Sequence, residues 1–177
     1  MEPRDFSEKY DVRPITDEDI GSVYDLCRKN SLFYEYCPPA VTKESIHGDR
    51  EALPPGKSLE DKYYVGYFDG SRLVAVMDLI DRYPDPRTVF IGFFMTDISV
   101  QNKGVGTRII RELCEYLRRQ GYGAVRLGWA KGNPQSEHFW HKNDFAETGI
   151  LNKTENYTVV VAQKELWPEP MDNLFVS

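Results

Sequence analysis

The sequence lacks the residue patterns that mark several common classes of protein. Its three cysteines, Cys27, Cys37 and Cys114, are odd in number and do not have the spacing of a metal site. We therefore expect reduced thiols, no metal centre and a cytoplasmic protein. No apolar run approaches the ~18 residues that cross a membrane, and the first residues do not resemble a signal peptide. We expect no membrane partner.

An excess of positive charge is also absent, because the formal net charge is −6. This balance disfavours a general binder of nucleic-acid phosphates. An acidic surface attracts cationic partners such as amines, although it also simply aids solubility. The 177 residues show no internal repeat and no linker, so we expect one domain over residues 1–177.

Within that domain we expect a core over residues 10–166 and a tail over residues 167–177. The tail holds two prolines and the aromatic residues Trp167 and Phe175. We expect these aromatics to dock on the body of the protein or on a second subunit, so a homodimer is possible.

One stretch combines a buried strand, a glycine turn and a long amphipathic helix. Residues 88–96 form a nearly unbroken β-branched and aromatic run, which is typical of a strand covered on both faces. The turn 101–106 reads QNKGVG. In the following helix an apolar stripe contains Val105, Ile109, Ile110, Leu113, Cys114 and Leu117, and Gly121 ends the helix.

The glycine turn is a candidate anion site. The first backbone N–H groups of a helix have no intrahelical partner, and the helix dipole adds partial positive charge there. Gly104 and Gly106 have no side chain to hold a phosphate away, and Lys103 adds a charge. The same glycines would also allow close packing of helix and strand, and the residues alone favour neither interpretation.

The remaining pattern predicts an alternation of strands and helices. A helix begins after the N-cap Thr16, residues 31–39 form a loop or helix end, and helices cover residues 42–53 and 133–142. The strands are expected at residues 10–15, 62–68, 72–80, 124–130 and 156–164. If the helix after the glycine turn is a crossover, strand 124–130 lies parallel to strand 88–96.

Two segments in this order resemble the GCN5-related N-acetyltransferase (GNAT) family. The turn QNKGVG fits the family signature Q/R-x-x-G-x-G/A, and residues 133–145, NPQSEHFWHKNDF, are similar to N-x-x-A-x-x-x-Y-x-K-x-G-F. The resemblance covers residues 10–166. It implies an α/β fold of mixed α+β type, in which a mostly antiparallel twisted sheet contains one splayed parallel strand pair and is flanked by helices.

The resemblance also implies acetyl-CoA as co-substrate, bound between the splayed strands. Backbone groups of Phe94, Met95 and Thr96 would pair with pantetheine and the acetyl carbonyl, and Asn133 would hold a pantetheine amide. The turn would wrap the pyrophosphate through Gln101, Asn102, Lys103, Gly104, Val105, Gly106 and Thr107.

The catalytic groups are harder to assign. The family's tyrosine, which protonates the departing thiolate, aligns with Trp140, so another tyrosine or solvent would do this work. Tyr34 and Tyr36 are candidates for the acid. Candidate bases are Glu35, Asp97 and Asp78. Of this set, Glu35, Asp97 and Tyr36 are the expected catalytic residues.

The expected acceptor is a primary amine of a small molecule. Residues 33–36, FYEY, would enclose its cation with aromatic faces and one carboxylate. A protein or peptide amine, or a non-catalytic acyl-CoA-binding module, are the alternatives. A nucleotide-binding P-loop is disfavoured, because the turn lacks the G-x-x-x-x-G-K-[ST] spacing. His138 and His141 share a helix face, but no further metal ligand is evident.

Overall fold

Seven strands form one mixed sheet in the computed structural model, which describes residues 1–167. The strands are β1 (Asp11–Pro14), β2 (Lys62–Asp69), β3 (Arg72–Ile80), β4 (Thr88–Thr96), β5 (Ala124–Ala130), β6 (Ala146–Lys153) and β7 (Thr158–Glu165). Their order across the sheet is β1-β2-β3-β4-β5-β7-β6. All neighbours are antiparallel except β4 and β5, which confirms the predicted α/β fold.

The parallel pair β4–β5 is joined along only part of its length. Pairing runs from Thr88 with Ala124 to Ile91 with Leu127, and β4 then continues for five residues to Thr96. Gly92 is an extra residue in β4, because Asp78 of β3 pairs with Phe93 and the next pair is formed by Leu79 and Ile91. A bulge of this kind bends its strand. The bulge lies where β4 and β5 part.

Within residues 1–167, five α-helices cover the two faces of the sheet. They are α1 (Ile20–Arg28), α2 (Ser31–Tyr36), α3 (Lys43–Glu51), α4 (Val105–Arg119) and α5 (Pro134–Lys142). α4 buries its predicted apolar stripe against one face, where Ile109, Leu113 and Leu117 are fully buried. α1 and α3 cover the other face with Val23, Cys27 and Ile46. No helix within residues 1–167 is long and apolar enough to cross a membrane.

Three parts of the fold differ from the sequence-based expectation. β6 was not predicted, and residues 31–36 form the short helix α2 where a loop or helix end was expected. The core also begins before residue 10, because Phe6 is fully buried and packs against Tyr116 with ring centroids 5.2 Å apart.

The tail prediction can be followed only at its first residue. The Nε1 atom of Trp167 donates a hydrogen bond to the carbonyl oxygen of Tyr122, 2.9 Å away, and Arg118 lies 5.5 Å from the indole ring. Trp167 thus contacts the body of the protein. Phe175 lies outside the described residues.

Candidate functional site

A cleft of about 370 Å³ opens where β4 and β5 separate. Its lining includes nine of the eleven predicted cofactor-binding residues: Phe94, Met95, Thr96, Gln101, Asn102, Gly104, Val105, Gly106 and Thr107. Lys103 and Asn133 are not among the lining residues. The opposite wall comes mainly from α5, through Ser136, Phe139 and Trp140.

The mouth of the cleft is a row of free backbone amides. Gly104 caps α4 in a left-handed conformation with φ +78°, and the first helical bond is donated by the amide of Arg108 to the carbonyl of Gly104. Within residues 1–167, the amides of residues 102–107 donate no well-aligned backbone hydrogen bond. These groups and the dipole of the 15-residue helix α4 are features that favour an anion at the mouth.

A side-chain network that the sequence did not reveal holds this turn. Asn30, at the end of α1, is only 8% exposed. Its Nδ2 atom donates to the carbonyl oxygens of Leu26 at 3.0 Å and Thr96 at 3.1 Å. Its Oδ1 atom accepts a hydrogen bond from Nε2 of Gln101 at 2.6 Å. The Gln101 side chain therefore fixes the turn to α1 and to the end of β4.

On the other wall, Asn133 is the N-cap of α5. Its Oδ1 atom accepts from the amides of Gln135 at 3.1 Å and Ser136 at 3.3 Å, and its side chain is 1% exposed. The capping role accounts for its burial. Its predicted contact with pantetheine stays a prediction.

Aromatic packing fixes the inner surface of that wall. Trp140 is 7% exposed and packs against Phe94, Phe139 and Phe145 with ring centroids 6.0, 4.8 and 5.1 Å apart. An indole has no acidic hydroxyl, so Trp140 shapes the cleft and leaves proton donation to another group.

The short helix α2 crosses the opening between β4 and β5 on the face that α1 and α3 cover. At one end, Phe33 contacts Phe93 of β4 edge-on, with centroids 5.6 Å apart. Just past the other end, the thiol of Cys37 lies near the side chain of Tyr157 and the backbone of Ala130, the last residue of β5. α2 therefore bridges the two strands.

The expected catalytic residues do not converge on the cleft. Glu35 and Tyr36 are absent from its lining, and Glu35 is exposed while Tyr36 is half-buried. Tyr34 points away, because its hydroxyl lies near the buried thiol of Cys27. The aromatic side chains of α2 thus do not form a common cage.

Asp97 has a local structural role. It caps the turn at 98–100, and its Oδ1 atom accepts from the amide of Ser99 at 2.9 Å. Burial raises the pKa of Asp97, but the hydrogen bonds from Ser99 and the charges of Lys29 and Arg72 outweigh burial and leave the pKa below its ordinary value. A carboxylate held in this way is a weak base.

Asp78 occupies a different environment at the bulge. Its side chain is 14% exposed, and its Oδ1 atom lies 2.8 Å from Nζ of Lys62, whose side chain is 3% exposed. Its Oδ2 atom lies 2.7 Å from the point where a Cβ would stand on Gly92. The carboxylate therefore fills the space that any other side chain at position 92 would take.

One cluster of potential metal ligands lies outside the cleft. Glu137, His141 and Glu147 are exposed, and one ligand atom from each lies within 4.8 Å of the others. The sequence did not indicate the third ligand, because Glu147 belongs to the unpredicted strand β6. Exposed carboxylates often approach a histidine in this way without a metal.

Comparison with known proteins places the chain among the acetyltransferases. The Acetyltransferase (GNAT) family profile matches residues 29–145. No curated protein matches the sequence.

Several solved structures share the fold. An acetyltransferase from Thermus thermophilus is 16% identical with a TM-score of 0.69, covering 89% of this chain and 97% of that one. The ribosomal-protein-S18-alanine N-acetyltransferase from Escherichia coli is 9% identical with a TM-score of 0.65, covering 94% and 99%. The PaiA N-acetyltransferase from Thermoplasma acidophilum, solved with coenzyme A, is 17% identical with a TM-score of 0.59, covering 86% and 97%.

Proposed function

The chain belongs to the acetyltransferase (GNAT) family of acetyl-CoA-dependent N-acetyltransferases, and we propose that it moves the acetyl group directly to a primary amine of a small molecule. The observation that carries the proposal is the gap beyond Ile91 and Leu127, which has free amides at its mouth and α2 across one face. The gap and the free amides suit acetyl-CoA, and α2 limits the size of the acceptor.

The residues present fit the co-substrate. A Cβ on Gly104 would have no atom within 4 Å, so the mouth is open to a diphosphate. The amides of residues 102–107 would hold the diphosphate, with the exposed Lys103 as a nearby cation. The backbone of Phe94 and Met95 would pair with the pantetheine arm. The carbonyl of Thr96 already accepts hydrogen bonds from Asn30 and Gln101. Thr96 would therefore support the pairing indirectly, by holding Phe94 and Met95 in position.

The chemistry follows from the groups that react. An amine with a pKa of ~10.4 is neutral in only about one molecule in a thousand at pH near 7.4, so a base is needed. Attack on the thioester carbonyl gives a tetrahedral intermediate, and a backbone amide of β4 would stabilise its oxyanion. The departing thiol has a pKa of roughly 8.5, so the thiolate leaves without much help from an acid. The reaction thus needs a base more than an acid, which is compatible with a tryptophan at position 140.

The bridge formed by α2 favours a small acceptor. An amine reaching the acetyl group from that face must pass beside Phe33 and the contacts of Cys37 with Tyr157 and Ala130. A folded protein surface would not fit under this bridge, whereas a small amine would. A free protein N-terminus is the second candidate, because a solved structure of similar fold acts on the alanine of ribosomal protein S18.

A binding experiment tests the co-substrate first. Acetyl-CoA at ~100 times its Kd should add about 2.7 kcal/mol of stability, measured as a rise in Tm, while ATP and NAD should add nothing. Thiol release would then be followed with a panel of small primary amines and with peptides that carry a free α-amine or a lysine. Faster release with small amines supports the proposal. Release with peptides alone would assign the protein-amine alternative.

A further inference from the structure

We propose that Asp78 is the general base of the transfer reaction, that Lys62 positions it, and that the glycine at position 92 keeps its carboxylate in reach of the acceptor. The inference rests on the proposed function and adds the residue that removes the acceptor's proton.

The bulge in β4 creates the opening. Because Gly92 is an extra residue, Gly92 and Phe93 together oppose Asp78. Gly92 is exposed, and Oδ2 of Asp78 lies 2.7 Å from the position of its absent Cβ. A carboxylate on β3 thus reaches the surface of β4 through the gap that a missing side chain leaves.

The opening lies at the inner end of the cleft. The cleft lining along β4 ends at Phe94, and Phe93 and Gly92 are the next residues toward the paired part of the strands. An arm that starts at the turn and runs along β4 past Met95 and Phe94 would carry its thioester end toward Phe93 and Gly92. Phe33 of α2 contacts Phe93 at this point, on the face that α1 and α3 cover, and Asp78 lies near Asp49 of α3 on the same face. An acceptor that enters beside Phe33 would therefore meet Asp78.

Lys62 holds the carboxylate in place. Its ammonium lies 2.8 Å from Oδ1 of Asp78 and donates to the carbonyl oxygen of Ala52 at 2.8 Å. Oδ1 is buried and accepts no well-aligned hydrogen bond within residues 1–167, so the contact with Lys62 is an ion pair. This arrangement leaves Oδ2 as the atom directed to the acceptor.

The charged and titratable groups around Asp78 suit a base. Lys62 and Tyr64 of β2 and Asp49 of α3 are its neighbours. Burial raises the pKa of Asp78 most, Lys62 lowers it and Asp49 raises it, and the net direction is upward. A carboxyl with a raised pKa takes a proton more readily, and the ammonium of Lys62 beside it favours its ionised form.

The proposed step balances as follows. The acceptor ammonium gives one proton to Oδ2 of Asp78, and the nitrogen lone pair then attacks the thioester carbon. The C–N bond forms, the C–S bond breaks, and coenzyme A leaves as the thiolate. The nitrogen loses its second proton to that thiolate through water, and Asp78 returns its own proton to solvent.

The first test removes the base without leaving a buried charge. Replacing Asp78 or Lys62 alone would leave the other charge unpaired, so the double variant Lys62→Met/Asp78→Asn is compared with the wild type. With the best amine of the panel, the double variant should lose at least about 100-fold in kcat relative to the wild type, with unchanged stabilisation by acetyl-CoA. A loss of less than threefold would overturn the proposal.

The pH profile separates catalysis from support of the fold. Wild-type kcat should fall at low pH as Asp78 takes a proton. Lys62→Met should move this fall to higher pH, because loss of the ammonium raises the pKa of Asp78. The base would be assigned elsewhere if the double variant keeps the wild-type fall of kcat at low pH. The same holds if Glu35→Gln or Asp97→Asn removes that fall.

Gly92→Ala provides a test that keeps both charges. The added Cβ would displace only the flexible end of Asp78, so the protein should fold and bind acetyl-CoA. We expect about a tenfold or larger loss of kcat. Gly21→Ala is the matched control, because a Cβ at Gly21 meets no atom within 4 Å. Equal kcat in the two variants would contradict the proposal. Absence of thiol release by the wild type with every amine would instead overturn the proposed function.

Discussion

The side-chain amide of Asn30 donates a hydrogen bond to the carbonyl oxygen of Thr96, 3.1 Å away. Through its Oδ1 atom the same side chain accepts from Gln101 at 2.6 Å. One buried amide therefore connects the end of α1, the last residue of β4 and the first residue of the glycine turn. The position of the free amides of that turn depends on this connection.

Replacing Asn30 with alanine should loosen the turn and destabilise the protein. The loss of hydrogen bonds among buried groups costs roughly 1–3 kcal/mol in the free energy of unfolding. Because the turn is less ordered, KM for acetyl-CoA should rise several-fold while kcat changes less. Urea denaturation and steady-state kinetics measure the two effects. Asn152→Ala, on the exposed strand β6, is the control. An unchanged KM in Asn30→Ala would separate this network from co-substrate binding.

A pair of glycines tests whether the turn itself binds acetyl-CoA. Gly104 and Gly121 stand at opposite ends of α4 with φ values of +78° and +90°, and neither has an atom within 4 Å of an added Cβ. Alanine at either position should therefore cost about 1 kcal/mol through backbone strain alone. Only Gly104→Ala should also weaken binding of acetyl-CoA, because its Cβ would project at the proposed diphosphate site. Thermal shifts at several acetyl-CoA concentrations measure this, and equal shifts in both variants would argue against the site.

The sequence was most informative where burial is complete. β4 and β5 have the predicted bounds, because unbroken apolar runs mark them. α4 has the predicted apolar stripe and ends at Arg119, two residues before Gly121, which was expected to end it. β6 was missed, since all eight of its residues are exposed and no alternation of apolar and polar residues marks it. Its conformation follows from pairing with β7, a tertiary effect.

The site was predictable only in part for a related reason. A glycine turn before a helix has a local pattern, so the residues of the cleft mouth could be named. The approach of Asp78 to Gly92 depends on a bulge in a neighbouring strand, and the role of Asn30 depends on contacts across 66 and 71 residues of sequence. Neither leaves a short-range signal.

The Arg13–Asp19 pair predicts a pH-dependent contribution to stability. Two hydrogen bonds from Arg13, at 2.7 and 2.9 Å, and one from the amide of Thr16 hold the pKa of Asp19 well below its ordinary value. The unfolded chain binds a proton at this carboxyl near pH ~3.9, so the stabilisation is present above that pH and is lost as pH falls.

The corresponding experiment uses Asp19→Asn, which removes the charge and keeps the shape. At pH 7 the variant should be less stable by roughly 1 kcal/mol, a value reduced for the exposure of Arg13 to solvent. At pH 3 the difference from the wild type should shrink. Urea denaturation at both pH values measures it, with the exposed Asp11→Asn as control. A difference that is equal at both pH values would show that the charge is not the cause.

The bridge formed by α2 predicts how acceptor size is limited. Phe33 lines the cleft and contacts Phe93, so Phe33→Ala should open the acceptor side while the turn at the cleft mouth stays intact. We expect kcat/KM to rise for bulky amines relative to the smallest active amine, and KM for acetyl-CoA to change little. Leu32→Ala is the matched control, because Leu32 is 36% exposed on the same helix and does not line the cleft. If Phe33→Ala lowers the rates with all amines by one common factor, α2 does not select the acceptor by size, and the argument for a small molecule loses its support.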